Sequence, residues 1–145
     1  SYLPSELNAA HLWAQLESAD LIFENRMRSW NLYNEKLSSL RDKGKIELPT
    51  IPAECEHNAH MFYIKVEDLA ERTELVQYLK EKNVNAVFHY IPLHSSPAGK
   101  KYGEFVGEDK YTTKESERLL RLPMYYGLKE EEVLYIVDCL EGFWS

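Results

Sequence analysis

The chain contains no apolar run of the roughly twenty residues that a membrane-spanning helix needs. Basic residues are in deficit: 17 Lys and Arg face 24 Asp and Glu, a formal net charge of −7. A nucleic-acid backbone or an anionic membrane surface would repel most of such a molecule. Cysteine is scarce. Cys55 and Cys139 stand far apart and make no secreted disulfide framework, so both read as buried or idle thiols of a cytoplasmic protein. The start, Ser1-Tyr2-Leu3-Pro4, carries neither a basic nor an apolar export region. It also lacks an initiator Met, which predicts a piece of a longer protein. No G-x-S-x-G elbow, Gly-rich phosphate loop, dinucleotide fingerprint, CxxC or HExxH pattern occurs, so no catalytic residue is assigned.

What is present is ordinary for one globular domain with a real core: 44% hydrophobic and 28% charged residues in 145. From about Ser5 to Lys43 the sequence predicts helix, with Ser5 as N-cap. Leu12, Leu16, Ala19, Phe23, Trp30, Tyr33, Leu37 and Leu40 fall at spacings of three and four, a helical stripe that only Arg26 interrupts. Gly44 is the expected stop. A straight helix of that length would run close to 60 Å, against a radius of gyration of about 15 Å for a domain of this size. Either the helix breaks, near Ser18 or Asp20, or it leans on protein outside this chain. Three large rings on the stripe, Phe23, Trp30 and Tyr33, favour the second, because exposed together they would make a costly patch.

Beyond Pro49 and Pro52 the pattern changes period. His60, Phe62, Ile64 and Val66 alternate onto one face of a predicted strand. Asp68 to Lys82 reads as a helix with Leu75 and Leu79 inward, and Val84 to Leu93 as a second strand closed by Pro92. Ser95 to Tyr111, with four Gly or Pro residues, reads as loop. A helix is expected from Thr112, capped by a Thr112–Glu115 box and ending before Pro123. A last helix spans about Lys129 to Leu140, burying Val133, Ile136, Val137 and Leu140 and stopped by Gly142. The predicted fold is a small α/β domain, residues 45–145, whose short sheet is covered by helices. A long kinked helical segment, residues 1–44, precedes it.

Four of the five histidines fall in two clusters, His57 with His60 and His89 with His94. With Cys55 nearby, zinc is the chemistry to consider, but the spacing fits no ligand pattern and no metal site is assigned. The most informative segment is His89-Tyr90-Ile91-Pro92-Leu93-His94, two imidazoles and a phenol at a strand exit before a Gly-containing loop. Such ends commonly present binding residues. Imidazole and phenol hydrogen-bond to hydroxyls and phosphates, which suits a polar, phosphorylated ligand. The bland alternative is a tight strand exit with incidental polar residues.

Four segments in order, Ser5-Glu6-Leu7-Asn8-Ala9-Ala10, Asn58-Ala59-His60-Met61-Phe62-Tyr63, His89 to His94 and Arg121-Leu122-Pro123-Met124, resemble the C-terminal portion of the DegT-like sugar-nucleotide aminotransferases. The resemblance covers all 145 residues. It implies the small C-terminal domain of a fold type I aminotransferase, preceded by its long interdomain helix, in a cytoplasmic homo-oligomer. It further implies pyridoxal phosphate as cofactor, glutamate as amino donor and a dTDP-4-keto-6-deoxy sugar as acceptor at C4. The Schiff-base lysine of the family would lie before Ser1, and no lysine here matches its motif, so the piece alone is expected to be inactive. Where family members carry Asn-Tyr-Arg, this chain has Ser1-Tyr2-Leu3. Ser1 would take the place of the Asn that reaches a neighbouring subunit's cofactor phosphate, while Leu3 replaces the Arg. His89, Tyr90 and His94 match the family's strand-exit motif and are implied to contact substrate rather than to transfer protons. The competing expectation is a stand-alone, non-catalytic binding or oligomerisation module with a self-sufficient core and no exposed stripe on its first helix.

Overall fold

The computed structural model describes residues 2–145. The N-terminal helical stretch is three helices, α1 (Glu6–Glu17), α2 (Ala19–Lys36) and α3 (Ser38–Asp42), broken at Ser18 and again at Leu37. Ser5 caps α1, its hydroxyl accepting from the Asn8 N–H at 3.3 Å. Gly44, at φ +69°, ends the stretch: its N–H reaches the Arg41 carbonyl while the Lys45 N–H reaches that of Leu40, a left-handed stop that favours glycine.

The stripe read from the sequence divides in two. Trp30, Tyr33, Leu37 and Leu40 are buried, and Tyr33 donates its hydroxyl to the Pro123 carbonyl at 3.0 Å. Leu12, Leu16 and Phe23 are exposed, as are Leu7, Trp13 and Leu21, and α1 buries no residue at all. Two of the three rings expected to face outward therefore sit in the core. The uncovered apolar surface lies earlier, on α1 and the first turns of α2.

Three short strands form the sheet, β1 (Phe62–Lys65), β2 (Val87–Phe88) and β3 (Leu119–Leu122), in the order β1-β3-β2 with antiparallel pairing on both sides of β3. Phe62 faces Leu122 and Ile64 faces Leu120 across the β1–β3 pair. Phe62, Ile64, Leu120 and Leu122 all turn inward, as the period of two requires. Between β1 and β2 runs α4 (Leu69–Glu81), capped by Asp68, whose carboxylate accepts from the Glu71 N–H at 2.9 Å. Its Leu75 and Leu79 are fully buried. The final helix, α7 (Glu130–Phe143), buries Val133, Ile136, Val137, Cys139 and Leu140 against α2 and α4. Helices thus cover a short sheet, in agreement with the fold class read from the sequence.

Several expectations fail locally. β3, the central strand, lies where a helix was expected to continue to Pro123. Only Thr112–Arg118 is helical there (α6). The Thr112–Glu115 capping box is absent: Thr113 N–H is met by Asp109 at 3.2 Å, and Glu115 instead takes the Lys65 ammonium at 2.6 Å. The second strand is two residues long rather than ten, since β2 finds a partner only along β3. Part of the expected loop is ordered as a 3-10 turn, Leu93–Ser95, and a helix, α5 (Pro97–Tyr102). Gly142 does not stop α7, which continues to Phe143 because Phe143 packs on Tyr78 at 5.4 Å and Trp144 donates to Glu71 at 2.7 Å. His60 is exposed and precedes β1. Cys139 is buried but Cys55 is exposed, and both are free thiols.

Candidate functional site at the exit of the second strand

β2 is an edge strand, and its last pairing, Phe88 with Leu120, sets where the following residues leave the sheet. His89 is half-buried and Tyr90 is exposed, the two rings edge to face with centroids 3.6 Å apart. The imidazole of His89 is pushed below its ordinary pKa, first by desolvation and then by the positive charge of Arg121 and His60. Tyr90 instead lines a cavity of about 240 Å³ with Phe88, Arg72 and Thr113. The Arg72 guanidinium stands over the Phe88 ring at 5.0 Å there.

His94 is engaged elsewhere. Its Nε2 lies 2.9 Å from Asp109 and 3.2 Å from the Thr113 hydroxyl, and its ring packs on Phe105 at 4.6 Å. The Thr113 hydroxyl in turn donates to Asp109. This clasp ties the 3-10 turn to the start of α6 and closes the intervening segment. The Asp109 carboxyl is held below its usual range chiefly by the Thr113 hydroxyl, aided by the Thr113 N–H and by His94. A depressed carboxyl stabilises the clasp above its unfolded pKa of about 3.9, and the stabilisation is lost as pH falls through the lower folded value. Amide protection across residues 93–113, measured relative to the intrinsic exchange rate at each pH, should therefore be high at pH 5–7 and fall below about pH 4. Asp109→Asn should show fast exchange already at neutral pH.

Behind the strand exit lies a second cavity, of about 530 Å³, bounded by Arg26, His60, Met61, Asn85, Val87, Arg121, Leu122, Pro123 and Met124. α2 presents Arg26, whose Nε donates to the Ala59 carbonyl at 3.0 Å and whose Nη2 donates to that of His60. β3 presents Arg121, opposite Tyr63 on one side and Val87 on the other. The three strand-exit residues thus do not share one cavity: His89 faces the charge of Arg121 and His60, Tyr90 the Arg72 side, and His94 the Asp109 clasp. Ser1 lies outside the described residues. Among the described residues no three His, Cys, Asp or Glu gather closely enough to hold a metal ion, and no helix is long and apolar enough to cross a membrane.

These elements coincide with a known pattern. The model of the DegT/DnrJ/EryC1/StrS aminotransferase family matches residues 3–141. The chain belongs to this family. It is 31% identical over 139 residues to dTDP-4-amino-4,6-dideoxy-D-glucose transaminase of Shigella dysenteriae, covering 94% of this chain and 37% of that protein. It is 29% identical to an uncharacterised protein of Methanocaldococcus jannaschii, over 90% of this chain and 34% of that one. A DegT DnrJ EryC1 StrS aminotransferase from Brucella abortus superposes with a TM-score of 0.75 at 28% identity, over 91% of this chain and 34% of that structure. The chain therefore spans about a third of the length of the relatives it matches.

The family is dependent on pyridoxal phosphate, and solved relatives include forms with PMP bound. The residues present here do not fit that group by themselves. Of the cavities described, only one presents lysines, Lys45 and Lys65, and Lys65 is held by Glu115 at 2.6 Å and Glu47 at 3.8 Å. Its ammonium is raised above its ordinary pKa, mainly by the bond to Glu115, which opposes nucleophilic chemistry.

Arg26, Arg121 and Asn85 were not singled out from the sequence as site residues. The signal was present for one of them: Arg26 is the lone charge in an apolar stripe, between the exposed Phe23 and the buried Trp30.

Proposed function

We propose that this chain is the C-terminal part of a pyridoxal-phosphate-dependent aminotransferase that moves an amino group from glutamate to C4 of a dTDP-4-keto-6-deoxy sugar. In its finer form the reading is the enterobacterial transaminase that makes dTDP-4-amino-4,6-dideoxygalactose. The observation that carries the reading is the family match across residues 3–141, in a chain covering about a third of its relatives. The apolar row on α1 and early α2, Leu7, Leu12, Trp13, Leu16, Leu21 and Phe23, supports it. A self-sufficient module would not leave such a row uncovered, whereas an interdomain segment has a large domain to lean on. The parent would be a cytoplasmic homo-oligomer that binds neither nucleic acid nor membrane. Ser1 would lie near a cofactor phosphate, and His89, Tyr90 and His94 would line the approach to the sugar nucleotide.

The test takes two polypeptides. The 145-residue chain alone should give no turnover with glutamate and a dTDP-4-keto-6-deoxy sugar. The longer polypeptide that carries it should give turnover, and borohydride should trap its cofactor on a lysine outside residues 1–145. In that polypeptide His89→Ala should raise KM for the nucleotide sugar about tenfold or more, as expected when hydrogen bonds to a charged or polar ligand are lost. Turnover by the short chain would overturn the reading of it as an incomplete site.

A further inference from the structure

Another cavity, of about 540 Å³, is bounded by residues 83–85 ahead of β2, by the turn that follows β3 and by the first turns of α7. Asn85 and Pro123 border both this cavity and the arginine-lined one, but the chemistry is reversed. Val84, Leu128 and Ile136 are buried members of the core cluster and give it an apolar lining. Tyr125 and Tyr135 border it as half-exposed rings, and its charged residues are Glu131 and Glu132. Among the described residues no lysine, arginine or histidine lines it. Its volume falls within the roughly 300–1,000 Å³ of small-molecule sites, which combine apolar and aromatic walls with a few polar groups.

Those polar groups are held in place by the fold itself. Glu132, in the first turn of α7, accepts the Lys129 N–H at 2.9 Å on one carboxylate oxygen. Its other oxygen meets the Tyr125 hydroxyl at 3.4 Å. Neither partner carries a charge, so the carboxylate is oriented without being neutralised. Glu131 differs, since it pairs with the Lys129 ammonium at 3.5 Å, an exposed contact of the kind that contributes little. The Tyr135 hydroxyl donates to the Lys82 carbonyl at 3.0 Å, which fixes that ring. The negative field extends inward. Tyr33, bonded to the Pro123 carbonyl, has its phenol pushed above its ordinary pKa by burial and then by Tyr125 and Glu132, two residues that line the cavity.

We propose that this cavity binds a small organic cation, an ammonium carried on an apolar or aromatic body. Glu132 and the rings of Tyr125 and Tyr135 take the charge, while Val84, Leu128 and Ile136 take the apolar part. Aromatic rings attract a cation because the quadrupole is negative over their faces, and an oriented carboxylate adds to that attraction. Groups already fixed by hydrogen bonds lose little freedom when the ligand arrives. An anion would meet Glu132 and a molecule of net charge −7, and be repelled by both. None of His89, Tyr90 and His94 borders this cavity, so the inference does not rest on the transaminase reading.

The test is calorimetric titration of the whole polypeptide that carries this segment, with benzyltrimethylammonium and separately with benzyl alcohol, which share a ring and differ in charge. Saturable binding of the ammonium is expected, weakening as salt is raised. The alcohol should bind about tenfold more weakly or worse, the worth of one charge pair near a protein surface. Glu132→Gln removes the charge and keeps the helix cap, because glutamine serves at that position as glutamate does. It should weaken the ammonium about tenfold and leave the alcohol unchanged. Tyr135→Ala should weaken the ammonium about threefold or more, whereas Tyr135→Phe, which keeps the ring, should match the parent. Urea midpoints close to the parent's show that each variant is folded. Ammonium affinity unchanged in Glu132→Gln or in Tyr135→Ala, or alcohol binding as tight as that of the ammonium, would overturn the proposal. So would the absence of saturable ammonium binding, the result expected if a side chain from the rest of the polypeptide fills the cavity.

Discussion

Replacing Phe62 by alanine is expected to destabilise the chain by about 3–5 kcal/mol, a large share of the roughly 5–15 kcal/mol that holds a domain of this kind together. Phe62 has no exposed surface and stands on β1 opposite Leu122. Its ring stacks on Tyr33 at 5.1 Å and meets Trp30 edge-on at 5.4 Å. It is therefore the contact through which α2 is seated on the sheet. Truncation removes the transfer free energy of a phenyl ring, leaves a cavity between helix and strand, and forfeits two aromatic pairs worth about 0.5–1.5 kcal/mol each. Tyr33 would follow: its phenol is pushed far above its ordinary pKa, first by burial and then by the nearby Tyr125 and Glu132. Urea unfolding is the measurement, with a lower midpoint at nearly unchanged slope. Phe62→Leu, which keeps more of the volume, should cost distinctly less. A loss under about 1 kcal/mol for Phe62→Ala would mean that the site had collapsed around the gap and that α2 does not depend on this ring.

That the helix from Ala19 to Lys36 meets the sheet through aromatic residues was partly legible in the sequence. Trp30, Tyr33, Leu37 and Leu40 share a helical phase, and Phe62, Ile64 and Val66 a strand phase, and all seven are buried. Periodicity reports such positions because a one-sided element has only one way to hide them. It cannot report what is decided by partners distant in sequence. Leu119, Leu120 and Leu122 are good helix formers following a run that is helical, and four residues are too few to display alternation around a Leu-Leu pair. They form a strand because β1 and β2 flank them. Gly142 was misread for the same reason, since Phe143 and Trp144 find packing and a hydrogen bond that carry α7 past it. At α5 the cue existed: Ser96 caps it by accepting from the Gly99 N–H at 2.9 Å, with Pro97 in the first turn. The count of Gly and Pro in that segment concealed a local signal. The site divides similarly. His89 and Tyr90 could be singled out because strand exits commonly present binding residues, whereas Arg121 becomes noticeable only once the structure shows it on the wall of a cavity with Arg26.

Gly99→Ala is expected to disrupt the segment that follows the strand exit, although one methyl group is all that changes. A Cβ at this position would run into the Leu93 carbonyl, reaching its oxygen well inside contact and its carbon at 2.7 Å, with the Ser96 hydroxyl at 3.0 Å. The obstacles are chiefly backbone atoms of the preceding 3-10 turn, so no side-chain rotation relieves the overlap. The turn and α5 must separate. Doing so breaks the Ser96 cap on Gly99, pulls on the Leu93–Ser95 turn and displaces His94 from Asp109 and Thr113. Overpacking in a well-ordered site costs about 1–3 kcal/mol. Because α5 buries no residue, the cost should be met by local opening rather than by global unfolding. Amide exchange should accelerate across residues 93–111 while the amides of β1, β3 and α7 keep their protection. Under the proposed reading of His89 and Tyr90 as substrate contacts, the same variant in the longer polypeptide should raise KM for the sugar nucleotide more than it lowers kcat, because the turn and α5 lie beside the strand exit. Uniformly faster exchange across β1 and α7 would show instead that the segment is part of the cooperative core. Unchanged exchange would show that the turn has room the geometry denies.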